Sequence, residues 1–568
     1  MLAELAERYF QQGLELNPQT GSQLLGEARF EGRLGLSLRP EHRARDTALQ
    51  QGLLRELQRI DPRALQPEER ITHQLLRQEA RDRLALLAFP EHLLPINQYG
   101  GLPVQLAEWA SGQSLQPFGT AAHYRGYLAR LRHLPAWVDQ AIANLREGQR
   151  RGIVVNRALL ERGLKNLREL AQTDFDQHPY SAPLRRWPAG IGVEDQQALT
   201  SEYRHALGEE IQPALRRLVQ FLDTEHLPHT RQTAGLGALP GGKAWYAERV
   251  RQHTTTALTP DQVHRLGLQE VARLHQRVDA LRQRVGYAGD VTAFLADRQW
   301  RDDLQPFRSE AEILDAYRAL NARIAAGLPA LFERFPKAAL AIQAEPEISR
   351  ATASDHYEPP AMDGSRPGIY YAVIQDPREY ERQWMVSLLL HEAQPGHHFQ
   401  MASQQELDLP QFRKHLWFTA YGEGWALYTE TLGYALGLYQ DDPVAELGHL
   451  KMALHRAIRL VVDTGLHHLG WSREQTIDYI RRTEGAKEDD ARRATERYMA
   501  DPGQALGYMV GALKIQALRE RAEKALGARF SLPAFHTQVL RLGCVPLDVL
   551  EREIGRWIKD QAGPKPRS

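Results

Sequence analysis

The sequence has almost no cysteine. Cys544 is the single cysteine among 568 residues, which excludes an intramolecular disulfide and any zinc cluster built from thiolates. The fold must therefore hold together without a covalent cross-link, and this composition fits a reducing compartment.

The chain also lacks an excess of either charge and any long apolar run. Lys and Arg together number 71, as do Asp and Glu, so no net field recruits nucleic acid or an anionic membrane. No stretch approaches the roughly 20 apolar residues that span a bilayer. Residues 1–10 carry acidic side chains where a signal peptide would be basic. We therefore expect a cytoplasmic protein with neither nucleic acid nor membrane as a partner.

What the sequence has in abundance is helical periodicity. Apolar residues recur at intervals of three and four, as in Leu53, Leu57 and Ile60, and polar residues fill the remaining positions. The stretch 235–242 contains four Gly and a Pro and is the best candidate for a boundary between lobes. We predict a mainly α protein with an N-terminal helical lobe, 1–234, and a second lobe, 235–568, packed closely together.

A candidate metal site lies in the second lobe, where segment 388–398 reads LLLHEAQPGHH. Imidazole and carboxylate groups are ligands that zinc prefers. In the common arrangement two His share one helical face, and a Glu beside the first acts as general base on a water molecule. We expect His391 to be a ligand and Glu392 to be the catalytic base.

The second ligand is either His397 or His398. Both are further from His391 than the usual four residues, but Pro395 prevents an unbroken helix and Gly396 tolerates the dihedral angles of a bulge. A bulge that absorbs two residues would bring His397 onto the face of His391. One that absorbs three would bring His398 there, so the spacing alone leaves both open.

A third ligand is predicted from segment 421–430, which reads YGEGWALYTE. Glu423 and Glu430 are two helical turns apart and face one way if the segment is helical. We expect Glu423 to be the ligand and Glu430 to orient a ligand His. A His-His-Glu set leaves a fourth position for water, which is typical of a catalytic zinc site.

Segment 496–511 supplies candidates for the rest of the site. Small residues recur there at every fourth position, which allows close helix packing: Gly503, Gly507 and Gly511. Tyr508 lies beside this seam, and a phenol would stabilise the oxyanion formed when water attacks an amide. Arg497 and Tyr498 are predicted to bind a substrate carboxylate.

A β-strand is predicted directly before the metal-binding helix. Segment 369–374 reads IYYAVI, rich in β-branched and aromatic residues. Asp376, Pro377 and Glu379 follow as a cap, a first-turn proline and a capping-box glutamate. The pattern predicts that a helix begins here and runs into His391.

These motifs resemble those of the domain-of-unknown-function 885 family, whose mark is His-Glu-x-x-Pro-Gly-His-His. The resemblance rests on segments 363–371, 391–400 and 423–430 and covers most of the chain from about residue 240 onward. That family is similar to zinc-dependent gluzincin peptidases of the carboxypeptidase Taq and thimet oligopeptidase type. The resemblance implies a two-lobed helical fold, a small β-sheet beside the active-site helix, and an edge strand at 369–374 that holds the substrate backbone.

The same resemblance bears on individual residues. Aligning Gly396 and His397 with the Gly-His that ends the motif in those peptidases leaves a two-residue insertion and places Glu423 where their third ligand lies. This favours His397 over His398. The context of Tyr508 resembles the Tyr-bearing segment of carboxypeptidase Taq enzymes, which supports its predicted role.

The function predicted from these motifs is a zinc-dependent peptidase acting on small peptides or chain ends. One Zn²⁺ per chain would be held by His391, His397 and Glu423 in the catalytic lobe, 235–568. An amidase acting on a non-peptide amide would use the same centre. A helical binding protein with a vestigial metal site is the alternative outside enzymes, although binding alone would not need the base Glu392.

Overall fold

The computed structural model describes residues 1–112, 115–350, 353–362, 364 and 366–562. Asp363 and Ser365, in the first segment of the family resemblance, lie outside the described residues. The chain forms two compact units that divide between Trp245 and Tyr246, and the lobe boundary at 234/235 remains a prediction. Helices dominate both units, and the described strands form a small sheet. The prediction of a mainly α fold with a small β-sheet is therefore confirmed.

The first unit is a set of amphipathic helices. In α4 the apolar residues Ile71, Leu75 and Leu76 recur at helical spacing, and all three are buried, as the hydrophobic periodicity predicts. Proline starts several of these helices, where its missing N–H has no partner to lose. The helices are α1 Leu2–Leu16, α2 Pro18–Leu25, α3 Pro40–Leu57, α4 Pro67–Leu87, α5 Leu102–Trp109, α6 Ala121–Leu131, α7 Leu134–Arg151, α8 Arg157–Gln172, α9 Val193–His205, α10 Gln212–Phe221 and α11 Gly242–Thr254, which contains the division between the units.

The second unit contains the sheet and the remaining helices. Its elements are α12 Pro260–Arg284, α13 Val291–Ala296, α14 Glu310–Gly327, β1 Leu340–Ala344, α15 Glu347–Arg350, β2 His356–Glu358, β3 Gly368–Ala372, α16 Met385–Glu392, α17 His397–Glu406, α18 Gln411–Lys414, α19 Thr419–Glu430, α20 Pro443–Thr464, α21 Arg473–Glu484, α22 Glu488–Ala500, α23 Gly507–Leu526, α24 Leu532–Leu540 and α25 Leu547–Ala562. In the described part of the chain, no helix combines the length and the apolar character that crossing a bilayer requires.

The sheet has the strand order β1-β3-β2. The predicted strand at 369–374 is present as β3, which pairs in parallel with β1 and antiparallel with β2. It is therefore the central strand, and the expectation that it is an edge strand was wrong. Both of its hydrogen-bonding edges are already used within the sheet, so β3 cannot add a substrate strand.

The helix that leads to His391 begins later than predicted. Asp376 does accept a hydrogen bond from the N–H of Arg378, but the result is a short 3-10 turn, Pro377–Glu379. A second 3-10 turn, Arg382–Trp384, precedes α16. Tertiary contacts explain the difference. The Arg382 guanidinium binds Asp303 and Asp442, and the backbone N–H of Arg382 donates a hydrogen bond to the carbonyl of Leu304. These contacts outweigh the local capping signal.

Helices α19 and α23 cross at very short distance. A Cβ added at Gly511 would lie 1.8 Å from the Ala420 carbonyl oxygen, and one added at Gly424 would lie 2.5 Å from Gly511 Cα. One at Gly507 would lie 2.7 Å from Thr419 Cγ2. The predicted small-residue seam is confirmed for Gly507 and Gly511, and it brings two helices with polar site residues side by side.

Candidate metal centre

The centre is built around the break between α16 and α17. Helix α16 ends at Glu392 and α17 begins at His397, with a cis peptide bond between Gln394 and Pro395. The predicted interruption at Pro395 is confirmed, but it separates two helices instead of bulging one. Gly396 is required here, because a Cβ at this position would lie 1.9 Å from the His391 carbonyl oxygen.

The break brings two imidazoles together. The rings of His391 and His397 have centroids 4.9 Å apart and are nearly perpendicular. Nε2 of His391 lies 3.5 Å from Glu423 Oε2, and Nε2 of His397 lies 3.4 Å from the same oxygen. The ligand atoms of these three residues all lie within 4.8 Å of one another, so they converge on one point.

Helix α19 holds both sides of the break in place. Thr429 Oγ1 donates to the Leu390 carbonyl at 2.8 Å, and Trp425 Nε1 donates to the Pro395 carbonyl at 2.9 Å. These buried bonds satisfy backbone carbonyl groups in and just beyond α16. Since Glu423 lies on the same helix, its position relative to the two His is set by direct contacts.

Glu430 lies behind His391, as its spacing from Glu423 suggests. Its Oε1 accepts from His391 Nδ1 at 2.9 Å, and its Oε2 lies 3.8 Å from His449 Nδ1. Burial alone would raise the pKa of Glu430, but His391 and His449 lower it to about 2. A carboxylate on the outer nitrogen orients a ligand imidazole and makes it more basic.

Electrostatics at the three donors favour a cation. Burial opposes charge on His391, yet hydrogen bonds with Glu423 and Glu430 raise its pKa to about 9. Glu423 is also buried, and His391 and His397 hold its pKa well below the usual range. The carboxylates therefore stay ionised and attract positive charge to the space that the donors face.

His398 points elsewhere. Its Nδ1 lies 2.9 Å from the hydroxyl of Tyr357 on β2, and burial lowers its pKa to about 4. A neutral ring in this position ties α17 to the sheet. Of the two alternatives that the sequence leaves open, the structure brings His397 to His391 and Glu423.

Glu392 lies next to the three donors and is 9% exposed. Burial raises the pKa of its carboxyl group, the neighbouring His391 and His397 lower it, and Glu423 raises it, with a net increase. A carboxylate with a raised pKa is a stronger base than an ordinary one, which suits a group that accepts and returns a proton.

Tyr508 faces the same group of residues. Its ring centroid is 6.4 Å from that of His391 and the two rings are nearly parallel. Burial and the charge of Glu423 raise the pKa of Tyr508, so its hydroxyl remains a hydrogen-bond donor.

The two predicted substrate-binding residues differ in position. The Tyr498 hydroxyl is buried against α20, where it accepts a 3.3 Å hydrogen bond from Arg459 Nε and lies 3.3 Å from His455 Nε2. Arg497 is only half-buried, and its charge offsets part of the rise in the pKa of Tyr508. The described contacts bring neither residue against the three donor atoms.

Two arginines on α20 are part of this region and were not predicted from the sequence. Arg459 lies with its guanidinium carbon 4.6 Å from the ring centroid of Tyr508. Arg456 interacts electrostatically with Glu430 and Glu423. A signal was present, because Arg459 interrupts the apolar run 457–462, AIRLVV, and a buried charge in such a run needs a partner.

The residues present fit a divalent transition metal. Two imidazole nitrogens and one carboxylate oxygen are the donor types of catalytic zinc sites, which keep a further position for water. Within the described residues the group has these three members. Glu430, which accepts a hydrogen bond from His391 Nδ1, and the adjacent carboxylate of Glu392 complete the arrangement.

Residues 19–554 match the family model described as Bacterial protein of unknown function (DUF885). The chain belongs to this family. Membership confirms the resemblance to DUF885 and extends it over nearly the whole chain, whereas the similarity to gluzincin peptidases remains a prediction. No protein of curated function matches the DUF885 chain significantly.

Solved structures of other proteins share the fold of this chain. A candidate lipoprotein from Colwellia psychrerythraea is 28% identical, with a TM-score of 0.89 over 98% of this chain and 99% of that one. A candidate lipoprotein of unknown function from Shewanella oneidensis is 16% identical, with a TM-score of 0.75 over 97% and 99%. A candidate oligoendopeptidase F from Bacillus anthracis str. Ames reaches a TM-score of 0.31 at 12% identity over 92% and 96%, which is too low to carry an argument.

Proposed function

We propose that this DUF885 protein is a zinc-dependent peptidase that hydrolyses peptide bonds of small peptides or chain ends. The observation that carries the proposal is the convergence of His391, His397 and Glu423 beside a buried glutamate with a raised pKa. A closed structural site would use its fourth position for a protein ligand and would not need Glu392.

The residues divide the chemistry among them. His391, His397 and Glu423 would hold the zinc ion, which would supply Lewis acidity to a water molecule and to the substrate carbonyl. Glu392 accepts the proton of the attacking water and returns it to the leaving amine. The burial of Glu392 matters, because it raises the pKa of the carboxyl group and so makes the carboxylate a stronger base.

Tyr508 and Glu430 support these steps. The phenol of Tyr508 donates a hydrogen bond to the carbonyl oxygen as negative charge develops on it. Glu430 keeps the outer nitrogen of His391 protonated, which leaves Nε2 free as a ligand. The proposal includes one zinc ion per chain.

The cytoplasmic location and the absence of nucleic acid and membrane partners remain predictions. The two structures reported above with TM-scores of 0.89 and 0.75 are described as candidate lipoproteins. Fractionation of the native host, with the protein followed by antibody, would decide the location.

Two measurements test the proposed centre. Wild type purified with zinc is expected to carry one ion per chain, and His391→Ala is expected to lose most of it. His398→Ala is the matched control, because it removes an equally buried neighbouring imidazole that faces Tyr357. Equal zinc content in wild type and His391→Ala would refute the proposed zinc site.

Turnover is tested separately with Glu392→Gln. This variant should keep its zinc and lose peptide hydrolysis by a factor of about 10² or more. A peptide library digested by wild type and followed by mass spectrometry supplies the assay. Zinc binding without cleavage of any peptide would contradict the peptidase proposal and leave the non-peptide amides to be tried.

A further inference from the structure

Arg459 is a buried cation beside the proposed centre with part of its hydrogen-bonding capacity unused. The residue is 6% exposed, much like Glu392 at 9% and His397 at 8%. Its Nε donates to the hydroxyl of Tyr498 at 3.3 Å, whereas Nη1 is buried without a hydrogen-bond partner in the described structure. The guanidinium also lies over the ring of Tyr508 at 4.6 Å.

Carboxylates of the described residues act on Arg459 and its neighbour Arg456 through charge and not through a close ion pair, and Arg456 Nε is also without a hydrogen-bond partner. Glu423 acts on both guanidinium groups from a longer distance, so what each lacks is a direct hydrogen-bond acceptor for a buried N–H group, and leaving such a group unsatisfied is costly. The net charge of the groups around the proposed centre also indicates what kind of ligand it would bind. With zinc bound, His391 would be a neutral ligand, and the two guanidinium groups, the divalent ion and the three carboxylates of Glu392, Glu423 and Glu430 would together leave one positive charge. The loaded site would therefore accept one anionic group of a substrate.

We propose that Arg459 binds the C-terminal carboxylate of the peptide substrate, so that the protein removes residues from the carboxyl end of short chains. This inference rests on the proposed peptidase function. The unused edge of the guanidinium, Nη1 and Nη2, forms the planar fork that binds a carboxylate through two parallel hydrogen bonds. Neither Arg497, which is half-buried, nor Tyr498, whose hydroxyl is already engaged, offers such a fork in a desolvated position.

Distances limit how far the carboxylate lies from the cleaved bond. Arg459 is 4.6 Å from the Tyr508 ring, and that ring is 6.4 Å from the ring of His391. An extended peptide advances about 3.3–3.6 Å per residue. A chain end held by Arg459 therefore places the scissile bond no more than about three residues from the C-terminus, which is exopeptidase geometry.

The contact with Tyr508 gives Arg459 a second effect. A cation over the face of a phenol is attracted to its ring, so the carboxylate, Arg459 and the proposed oxyanion donor form one connected group. A substrate that lacks the terminal carboxylate would leave Arg459 unpaired and lose this positioning. We expect such a substrate to have a higher KM and a lower kcat.

The inference is tested with two peptide libraries that differ only at the C-terminus, one with free carboxylates and one amidated. The zinc-loaded wild type is expected to cleave the free-acid library within three residues of the C-terminus and the amidated library about 10–100-fold more slowly, which is the loss expected for a charge-assisted pair. Equal cleavage of both libraries would overturn the inference while the peptidase proposal stands. No cleavage of either would refute the proposed function itself.

Variants then assign the effect to Arg459. Arg459→Gln should remove the discrimination between free acid and amide, and Arg459→Lys should restore part of it. Arg473→Gln is the matched control, because that guanidinium is paired with Glu496 at 2.6 Å. Loss of discrimination in Arg497→Gln with none in Arg459→Gln would overturn the assignment. If the amidated library is cleaved only beside Asp or Glu, Arg459 binds a side-chain carboxylate of the substrate. That result would overturn the assignment to the C-terminal carboxylate.

A binding readout separates recognition from turnover. Zinc-loaded Glu392→Gln is titrated by calorimetry with the peptide that the wild type cleaves fastest, as free acid and as amide. The free acid is expected to bind about 10–100-fold more tightly, and the added change Arg459→Gln should equalise the two. An unchanged ratio in the double variant, with zinc content and thermal transition retained, would contradict the inference.

Discussion

At the scale of single residues, Glu430 is important to the proposed centre although it is not one of the three metal ligands. It is fully buried and accepts a 2.9 Å hydrogen bond from the outer nitrogen of His391. Such outer carboxylates fix both the orientation and the tautomer of a ligand His. The pair also explains why a carboxylate is tolerated in so apolar a place, since two His contacts lower its pKa.

Glu430→Gln is expected to weaken zinc binding by about 10–100-fold, because the amide cannot stabilise His391 as a basic ligand. Competition with a chelator of known affinity measures the change. Glu484→Gln is the matched control, since it alters another His–Glu pair, with His455 at 2.9 Å. Unchanged zinc affinity in Glu430→Gln would exclude this role for the carboxylate.

Asp463 makes a separate prediction about pH. It is fully buried, and burial raises its pKa to about 7 although it accepts hydrogen bonds from the Tyr246 hydroxyl and the Gly503 N–H. The folded protein therefore binds this proton more tightly than the unfolded chain does between about pH 4 and pH 7. Stability falls as the pH rises through this window, by on the order of 4 kcal/mol from this one group.

The variant Asp463→Asn should lose that component of the pH dependence and be more stable relative to wild type at pH 8 than at pH 4. Denaturant unfolding at both pH values, with the exposed Asp548→Asn as control, gives the comparison. The interpretation fails if wild type and Asp463→Asn show parallel pH profiles.

At the scale of elements, the site depends on two helices that nearly touch. Helix α19 carries Glu423 and Glu430, α23 carries Tyr508, and the crossing of these helices admits no side chain at Gly511. Glycine repeats made the seam predictable from the sequence. The start of α16 was not, because a proper capping sequence at Asp376 was overridden by the contacts of Arg382 with Asp303 and Asp442.

Gly511→Ala is expected to destabilise the protein by about 1–3 kcal/mol or more, since an added Cβ would lie 1.8 Å from the Ala420 carbonyl and must push the helices apart. Zinc affinity should fall with stability. Gly13→Ala in α1 has open space around its Cβ and should instead gain up to about 1 kcal/mol. Thermal unfolding and zinc content measure both, and a tolerated Gly511→Ala would contradict the close crossing.

At the scale of the whole molecule, the proposed metal should act as a ligand of the folded state. Removing zinc with a chelator is expected to lower the unfolding temperature, and adding zinc back should restore it, because an ion that binds only the folded chain stabilises it by mass action. At a free concentration of about 1,000 times Kd the stabilisation is about 4 kcal/mol. His391→Ala should show no response to zinc. A wild-type transition that is insensitive to both treatments would count against the centre.

Much of this organisation is predictable from the amino-acid sequence. The helical class followed from periodicity, the break near Pro395 from the lack of an N–H and the steric demands of its ring, and the family from the motif at 391–398. Glu423 and Glu430 were placed on one face because seven residues make two helical turns. Each of these is a local property, and local sequence is sufficient for it.

Other features required the folded chain. The choice between His397 and His398 depended on the turn at 393–396 and on Tyr357 from a distant strand. The central position of β3 depended on which strands pair with it, and strand pairing joins segments far apart in sequence. Arg459 stands out in the sequence as a charge within an apolar run, but its position beside Tyr508, and that of Arg456 near Glu430, depended on how α20 packs. The sequence alone determined which chemical groups were available; tertiary packing decided which of them meet, because burial and distance set the charge and the partner of each group.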